Sequence, residues 1–314
     1  MHRHVAFAML LLGAAVLGGC GDDDTDDGLS PWQHARIEGL SGATGMTVAD
    51  GDLVFVSGAD DRDLKTVAVA ALRNGASTKA RTLAVTIRPG APVHGSSPFA
   101  LQDYRLEHLW KVPVDFQGVG FQPPNLLYVG ERHRRLVFWG KLRRDAAGVL
   151  ASVKLEHMAA IPGAKRTGAD GGDWRDHGSG LRGLVAVKQS ARNEDLWVVD
   201  AGTADEPIMV RRLNRYGSNF HGIRARHTFE VAPDVRAVSH DGTRLMVLLG
   251  KGRGRLVSLT PPPRDKLDSV PLGAGVPGPA IDGVDGWTGM AHGDDGTIYL
   301  VSGGSPAIVA WRRP

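Results

Sequence analysis

The sequence predicts an all-β fold assembled from copies of one hairpin-bearing unit. Three observations carry this: short apolar runs recur in a fixed order, Asp-Gly pairs punctuate them, and no helical period of useful length appears after residue 30.

The unit is read in chain order. Thr44-Gly45-Met46 precedes Asp50-Gly51, and Leu53-Val54-Phe55-Val56-Ser57 follows. Gln117-Gly118-Val119 precedes Leu126-Leu127-Tyr128-Val129-Gly130-Glu131, then Arg135-Leu136-Val137-Phe138. Arg182-Gly183-Leu184 precedes Leu196-Trp197-Val198-Val199-Asp200, then Ile208-Met209-Val210. Arg236-Ala237-Val238 precedes Asp241-Gly242, then Leu245-Met246-Val247-Leu248-Leu249 and Leu256-Val257-Ser258-Leu259. Thr288-Gly289-Met290 precedes Asp295-Gly296, then Ile298-Tyr299-Leu300-Val301 and Ala307-Ile308-Val309-Ala310-Trp311. Runs of four to six residues rich in Val, Leu and aromatics suit strands, and Asp-Gly supplies the positive φ that a tight hairpin requires.

Such a unit cannot bury both faces alone. Copies stacked around an axis can, and that arrangement is a β-propeller. The repeated Gly or Ala positions 45, 118, 183, 237 and 289 are separated by 73, 65, 54 and 52 residues, against about 40–50 residues for a four-stranded blade with short loops. The count predicts a single propeller of five blades, with N- and C-terminal strands closing one blade. Six blades is the alternative, the extra one lying between Thr78 and Trp110. A pair of β-sandwiches or a solenoid is the competing architecture. Trp174, Trp197, Trp287 and Trp311 read as packing between blades.

The head of the chain predicts location. Met1 to His4 is basic, Val5 to Val16 is an unbroken apolar run, and small residues lead to Cys20, the only cysteine. This is the order of a secretory signal, and the run is too short to span a bilayer core that needs about 20 residues. Leu17-Gly18-Gly19-Cys20 resembles the bacterial lipobox. The resemblance implies a lipoprotein, cleaved before Cys20 and acylated there, with each buried CH₂ worth about 0.8 kcal/mol of anchoring. An ordinary secretory signal with a coincidental cysteine is the alternative. Residues 20–30 then form an acidic tether, and residues 31–314 form the propeller domain. By the sorting convention that accompanies lipoboxes, Gly21 rather than Asp after Cys20 favours the outer membrane, facing periplasm or exterior.

Net charge is +3 for the whole chain and falls by one unit when Arg3 leaves with the signal. No basic run with interleaved aromatics accompanies it, which excludes a nucleic-acid partner. One cysteine allows neither disulfides nor a Cys-based metal site.

Val112-Pro113-Val114-Asp115-Phe116-Gln117-Gly118-Val119, followed by Leu127-Tyr128-Val129-Gly130-Glu131, resembles the SdiA-regulated and esterase-like phytase domain propellers. Strictosidine synthase-like and gluconolactonase-like propellers resemble it more distantly. Asp115, Gly118 and Glu131 match the pattern in which an acid precedes the Gly and a Glu ends the next strand. The resemblance implies an acidic inner position that can hold a divalent cation. Here Gln117, Arg182, Arg236 and the threonines replace that acid, which argues against a metal cofactor on the axis and against lactonase or phytase chemistry.

The residue before each Gly or Ala is expected to face the central funnel. Thr44, Gln117, Arg182, Arg236 and Thr288, with Glu131, are therefore the candidate ligand-binding set. Two guanidiniums about 8 Å apart repel by about 2 kcal/mol at an effective dielectric near 20. An anion between them relieves this, and Arg matches carboxylate and phosphate geometry. The structural alternative pairs Arg182 and Arg236 with Asp200, Asp234 or Glu131. Asp170, Asp173 and Asp176 in the loop 167–180 are the weak candidates for Ca²⁺, without EF-hand spacing. His94, His133, His177, His221, His227, His240 and His292 are scattered, and most read as surface or loop residues. No Gly-x-Ser-x-Gly elbow occurs. Function is expected to be binding or scaffolding, as a monomer, with a protein or a small anionic ligand as partner. A propeller esterase, lactonase or phosphoesterase is the alternative.

Overall fold

Strands account for nearly all of the described chain. A computed structural model describes residues 31–38, 40, 42–57, 63–73, 78–87, 93–94, 116–131, 136–160, 166–167, 173–174, 181–188, 193–200, 209–216, 219–229, 235–240, 244–259, 267–270, 275–278, 286–302, 304 and 307–312. The signal, Cys20, the tether, Asp170 and Asp176 lie outside these residues. The single described helix is Val69–Arg73, five residues long, so the expectation of a helix-poor body holds except for this one turn.

Among the described residues there are five sheets of four or more strands, besides one short hairpin, Arg166–Thr167 with Asp173–Trp174. Sheet I runs Thr44–Ala49, Asp52–Ser57, Asp63–Ala68, Arg81–Thr82. Sheet II begins Phe116–Gln122, Leu126–Glu131, Leu136–Arg144, Leu150–Ala160. Sheet III begins Leu181–Lys188, Asn193–Asp200, Met209–Tyr216, Asn219–Phe229. Sheet IV is Val235–His240, Leu245–Leu249, Arg255–Leu259, Val276–Pro277. Sheet V takes Gly289–His292, Thr297–Val301 and Ala307–Arg312 from one end of the chain and Pro31–Glu38 from the other, paired antiparallel. The β-propeller-like all-β expectation is met at this level.

Residues 78–94 build no sheet of their own among the described residues. Thr78–Lys79 lies parallel to Pro31–Glu38, Arg81–Thr82 antiparallel to Asp63–Ala68, and Ala84–Ile87 and Val93–His94 parallel to Leu150–Ala160. The segment thus hands edge strands to three sheets.

Hydrophobic burial explains the stacking. The second strands Asp52–Ser57, Leu245–Leu249 and Thr297–Val301 are buried at every position. A run buried on both faces is a strand covered on both sides, here by neighbouring sheets. One core joins Val54, Val56 and Leu64 of sheet I to Phe116, Leu127 and Phe138 of sheet II. A second joins Tyr299, Val301 and Ile308 of sheet V to Met46, Leu53 and Phe55 of sheet I. A third joins Met246 and Leu248 of sheet IV to Leu300 and Trp311 of sheet V, with Trp287 between. Trp287 and Trp311 therefore pack between sheets, as expected. Each large side chain buried in this way contributes about 1.5–3 kcal/mol.

The first strands meet in sequence. Thr44–Ala49 contacts Phe116–Gln122, which contacts Leu181–Lys188, which contacts Val235–His240, which contacts Gly289–His292, which returns to Thr44–Ala49. Their starts lie together at one end and their hairpin turns at the other.

The turns differ more than the sequence suggests. Asp50 and Gly51 both have positive φ, 49° and 85°, the two-residue hairpin that Asp-Gly favours. In sheet V only Gly296 of the Asp295-Gly296 pair is positive, at 80°. There the Asp295 carboxylate accepts from the Thr297 N–H at 3.1 Å, so this turn is longer. Sheet II turns through Pro123-Pro124-Asn125 instead.

Candidate functional site

The first strands create two distinct environments, one at their starts and one at their turns. At the starts of sheets I to IV the ladder makes an irregular step at the repeated Gly or Ala or at the residue before it. Pairing skips Gln117, Arg182 and Arg236 in sheets II, III and IV, and Gly45 in sheet I. In sheet V the Thr288 N–H donates to the Val301 carbonyl at 2.8 Å just ahead of the paired Gly289. A β-bulge leaves one residue unpaired and re-aims it. The repeated x-Gly is the mark of this step.

The glycine has a steric reason. A Cβ on Gly289 would lie 2.7 Å from Val301 Cγ1 and 3.2 Å from the Gly45 amide nitrogen. Sheets V and I approach here backbone to backbone. The Thr288 hydroxyl donates to the Ala43 carbonyl across this junction and lies 3.3 Å from the Val301 carbonyl oxygen. Thr288 is thus engaged as an inter-sheet tie. Thr44, at this junction, and Arg236 are both half-buried, and the Thr44 hydroxyl is buried without a hydrogen-bond partner. Gln117, Arg182 and Glu131 occupy strand positions at this same end, Glu131 opposite Phe116 and Leu181 opposite Asp200. Asp173 lies in the short hairpin opposite Thr167.

At the turns the strands diverge and enclose a cavity of about 550 Å³. Its polar lining is Thr47, Asp50, Ser239, His240, His292 and Asp294, over apolar walls that include Val48, Val119 and Phe121. Sheets I, II, IV and V all contribute. Ser239 is buried, while Asp50 and Asp294 are exposed at the rim. A smaller adjoining cavity of about 230 Å³ shares Asp50, Phe121 and Pro124.

Arg144 fixes one rim. Its guanidinium donates to the Asp50 carbonyl at 2.7 Å, the Asp50 carboxylate at 3.0 Å, the Asp52 carboxylate at 3.0 Å and the Gly148 carbonyl at 2.7 Å. Sheet II thereby clamps the hairpin of sheet I. Next to it, Asp145 accepts N–H bonds from Val149 and Ala147, both at 3.0 Å, and sits 3.5 Å from Arg81. The Val149 N–H first, with Ala147 and Arg81 helping, holds the Asp145 carboxyl below its ordinary value.

The cavity's imidazoles and carboxylates can donate, accept and transfer protons. Among the described residues no group of three or more His, Cys, Asp or Glu stands close enough to hold a metal ion.

Sequence reasoning singled out the strand starts and passed over the strand ends. A signal was present. His240 stands four residues after Arg236, and His292 four after Thr288, so two units place a histidine at the same offset. Each is the last residue of its first strand.

No protein-family model matches the chain, and no curated protein matches it. Among solved structures, the crystal structure of Myxococcus xanthus glutaminyl cyclase is similar over 90% of this chain and 95% of that one, with TM-score 0.52 and 10% identity. A glucose dehydrogenase is similar over 91% of this chain and 99% of that one, with TM-score 0.43 and 11% identity. At these identities the likeness to the cyclase concerns the fold alone, which is propeller-type.

Proposed function

We propose that the chain is a single five-bladed β-propeller, held to a bacterial membrane through lipid on Cys20, that binds a small polar ligand in its central passage. Five sheets, whose first strands touch in sequence and return to the first, support the blade count. The pairing of Pro31–Glu38 with Ala307–Arg312 supports closure of one blade by the two chain ends. The lipobox-like Leu17 to Cys20 supports the anchor, and Gly21 supports the outer membrane.

The observation that carries the binding role is the turn-end cavity. Its volume suits a small molecule, and its lining mixes apolar side chains with convergent polar and charged groups, as a pocket for a polar ligand does. The anion-accepting reading belongs to the opposite end, on Arg182 and Arg236. Purified mature protein titrated with panels of carboxylates, phosphates, amines and sugars separates the two by thermal shift. A ligand at 100 times its Kd stabilises by about 2.7 kcal/mol. Loss of the shift in the His240→Ala, His292→Ala double variant assigns the turn end. Loss in Arg182→Ala, Arg236→Ala assigns the strand starts. No shift with any compound overturns the binding reading.

The second reading is a hydrolase. Ser239, His240, His292 and Asp294 around one cavity favour it, because acid–base groups in a pocket are the raw material of hydrolysis. Turnover of ester, lactone or phosphoester substrates that vanishes in the His double variant would establish it, and metal analysis of the same protein tests for a cofactor.

A further inference from the structure

We infer that the lipid anchor presents the turn end of the molecule, with its cavity, toward the bilayer and turns the strand starts away. This rests on the anchoring at Cys20 proposed above and adds a direction to it.

The register of sheet V carries the argument. Pro31 pairs with Trp311, Trp311 with Ile298, and Ile298 with His292. One residue from each strand thus lies on a single line across the sheet, and the line ends at a residue that lines the cavity. At about 4.8 Å between strands, Pro31 sits ~14 Å from His292 across the sheet. The chain therefore leaves for Cys20 at the level of the cavity, on the outer edge of the sheet. From Pro31 the strand runs the other way, toward Thr44 and the strand starts.

The tether is short. Eleven residues, 20–30, separate the lipid-bearing sulfur from the strand. Eleven residues can reach at most about 36–40 Å. Pro31–Glu38 is eight residues, or about 26 Å of strand. To set the strand starts against the bilayer, the tether would have to double back along the whole outer edge of sheet V. That uses about 26 Å of its greatest reach before any lipid is met. With the turn end toward the bilayer, no such detour is needed. Exposed charges of the described residues at the turn end are mixed, with Asp50, Asp145, Asp294 and Asp295 against Arg81, Lys141, Arg143, Arg144 and Arg244. Among the described residues no one-sign patch there clamps the face to lipid or drives it off. Geometry sets the orientation, and the cavity samples solutes in the layer between protein and membrane.

The test exploits the single cysteine, Cys20, which lipid would occupy. A new thiol is then unique. Asn125→Cys lies in the turn after Phe116–Gln122, and Lys251→Cys in the turn after Leu245–Leu249, both at exposed positions. Each lipidated full-length variant carries a donor fluorophore and is added to preformed vesicles containing acceptor-labelled lipid, after circular dichroism has matched its fold to the parent. In material that floats with the vesicles, energy transfer from position 125 should exceed that from position 251 about twofold or more, since a strand length of ~20 Å separates their heights. Equal or reversed transfer in floating material overturns the orientation and leaves the anchoring standing. Failure of the parent protein to float overturns the anchoring, and the orientation with it.

Discussion

The two ends of the same five strands are built for different tasks. At the starts, sheets V and I meet through Gly45 and Gly289, with the Thr288 hydroxyl tied to the Ala43 carbonyl. At the turns, the strands part around a cavity carrying two histidines and two aspartates. The difference teaches where to look for function in a repeated fold. The conspicuous motif, x-Gly, marks the place where backbones must approach closely. The groups suited to chemistry stand where units differ, because the turns that end each strand have different lengths and compositions.

Four changes probe that contrast. Gly289→Val should do the greatest damage, since its first added carbon already collides with Val301 and crowds the Gly45 amide. Overpacking of this kind costs about 1–3 kcal/mol, read as a lowered thermal midpoint, with ligand binding at the turn end lost only in proportion to unfolded protein. Arg144→Met removes four hydrogen bonds from the rim and leaves the buried Asp52 carboxylate without its guanidinium. Because the Arg144 side chain is 31% exposed, a loss of about 1–2 kcal/mol is expected in urea denaturation, with weaker binding at the turn end. An unchanged affinity would mean that the Asp50 hairpin holds the rim unaided. Thr288→Val keeps shape and deletes the inter-sheet tie. About 1 kcal/mol should be lost, again by urea titration, with cavity ligands bound as before. Asp145→Asn has the smallest effect, and it depends on pH. The folded-state carboxyl titrates below its ordinary value. Its contribution is therefore present above the unfolded carboxylate range and is lost as pH falls through the lowered folded value. Parent and variant should differ slightly in thermal midpoint at pH 7 and converge in acid.

Much of the framework was legible in the sequence. Asp52–Ser57, Leu245–Leu249 and Thr297–Val301 announce themselves as apolar runs because neighbouring sheets cover both their faces. Trp287 and Trp311 could be placed between sheets for the same reason. The edge strands of residues 78–94 could not be read. Two to four residues carry no period, and their partners lie in sheets begun elsewhere in the chain. The Asp-Gly pairs were legible as turns but not as turn types, since Asp295 takes its turn through a side-chain acceptor. The cavity was the hardest to see. Its polar members come from separate units, two each from sheets I, IV and V, and only alignment of the units shows His240 and His292 at one offset.

The pairing of Pro31–Glu38 with Ala307–Arg312 also governs how the protein is born. Among the described strands the first to be synthesised is the partner of the last, so sheet V stays open until residues 307–312 have been made. At about 5–20 residues per second that interval is some tens of seconds, during which Ala307–Arg312 does not yet exist and residues 31–38 offer an unpaired strand. Deletion of residues 307–312 would leave the same raw edge in the finished molecule, and aggregation, rather than a mild fall in stability, is the expected phenotype of such a deletion.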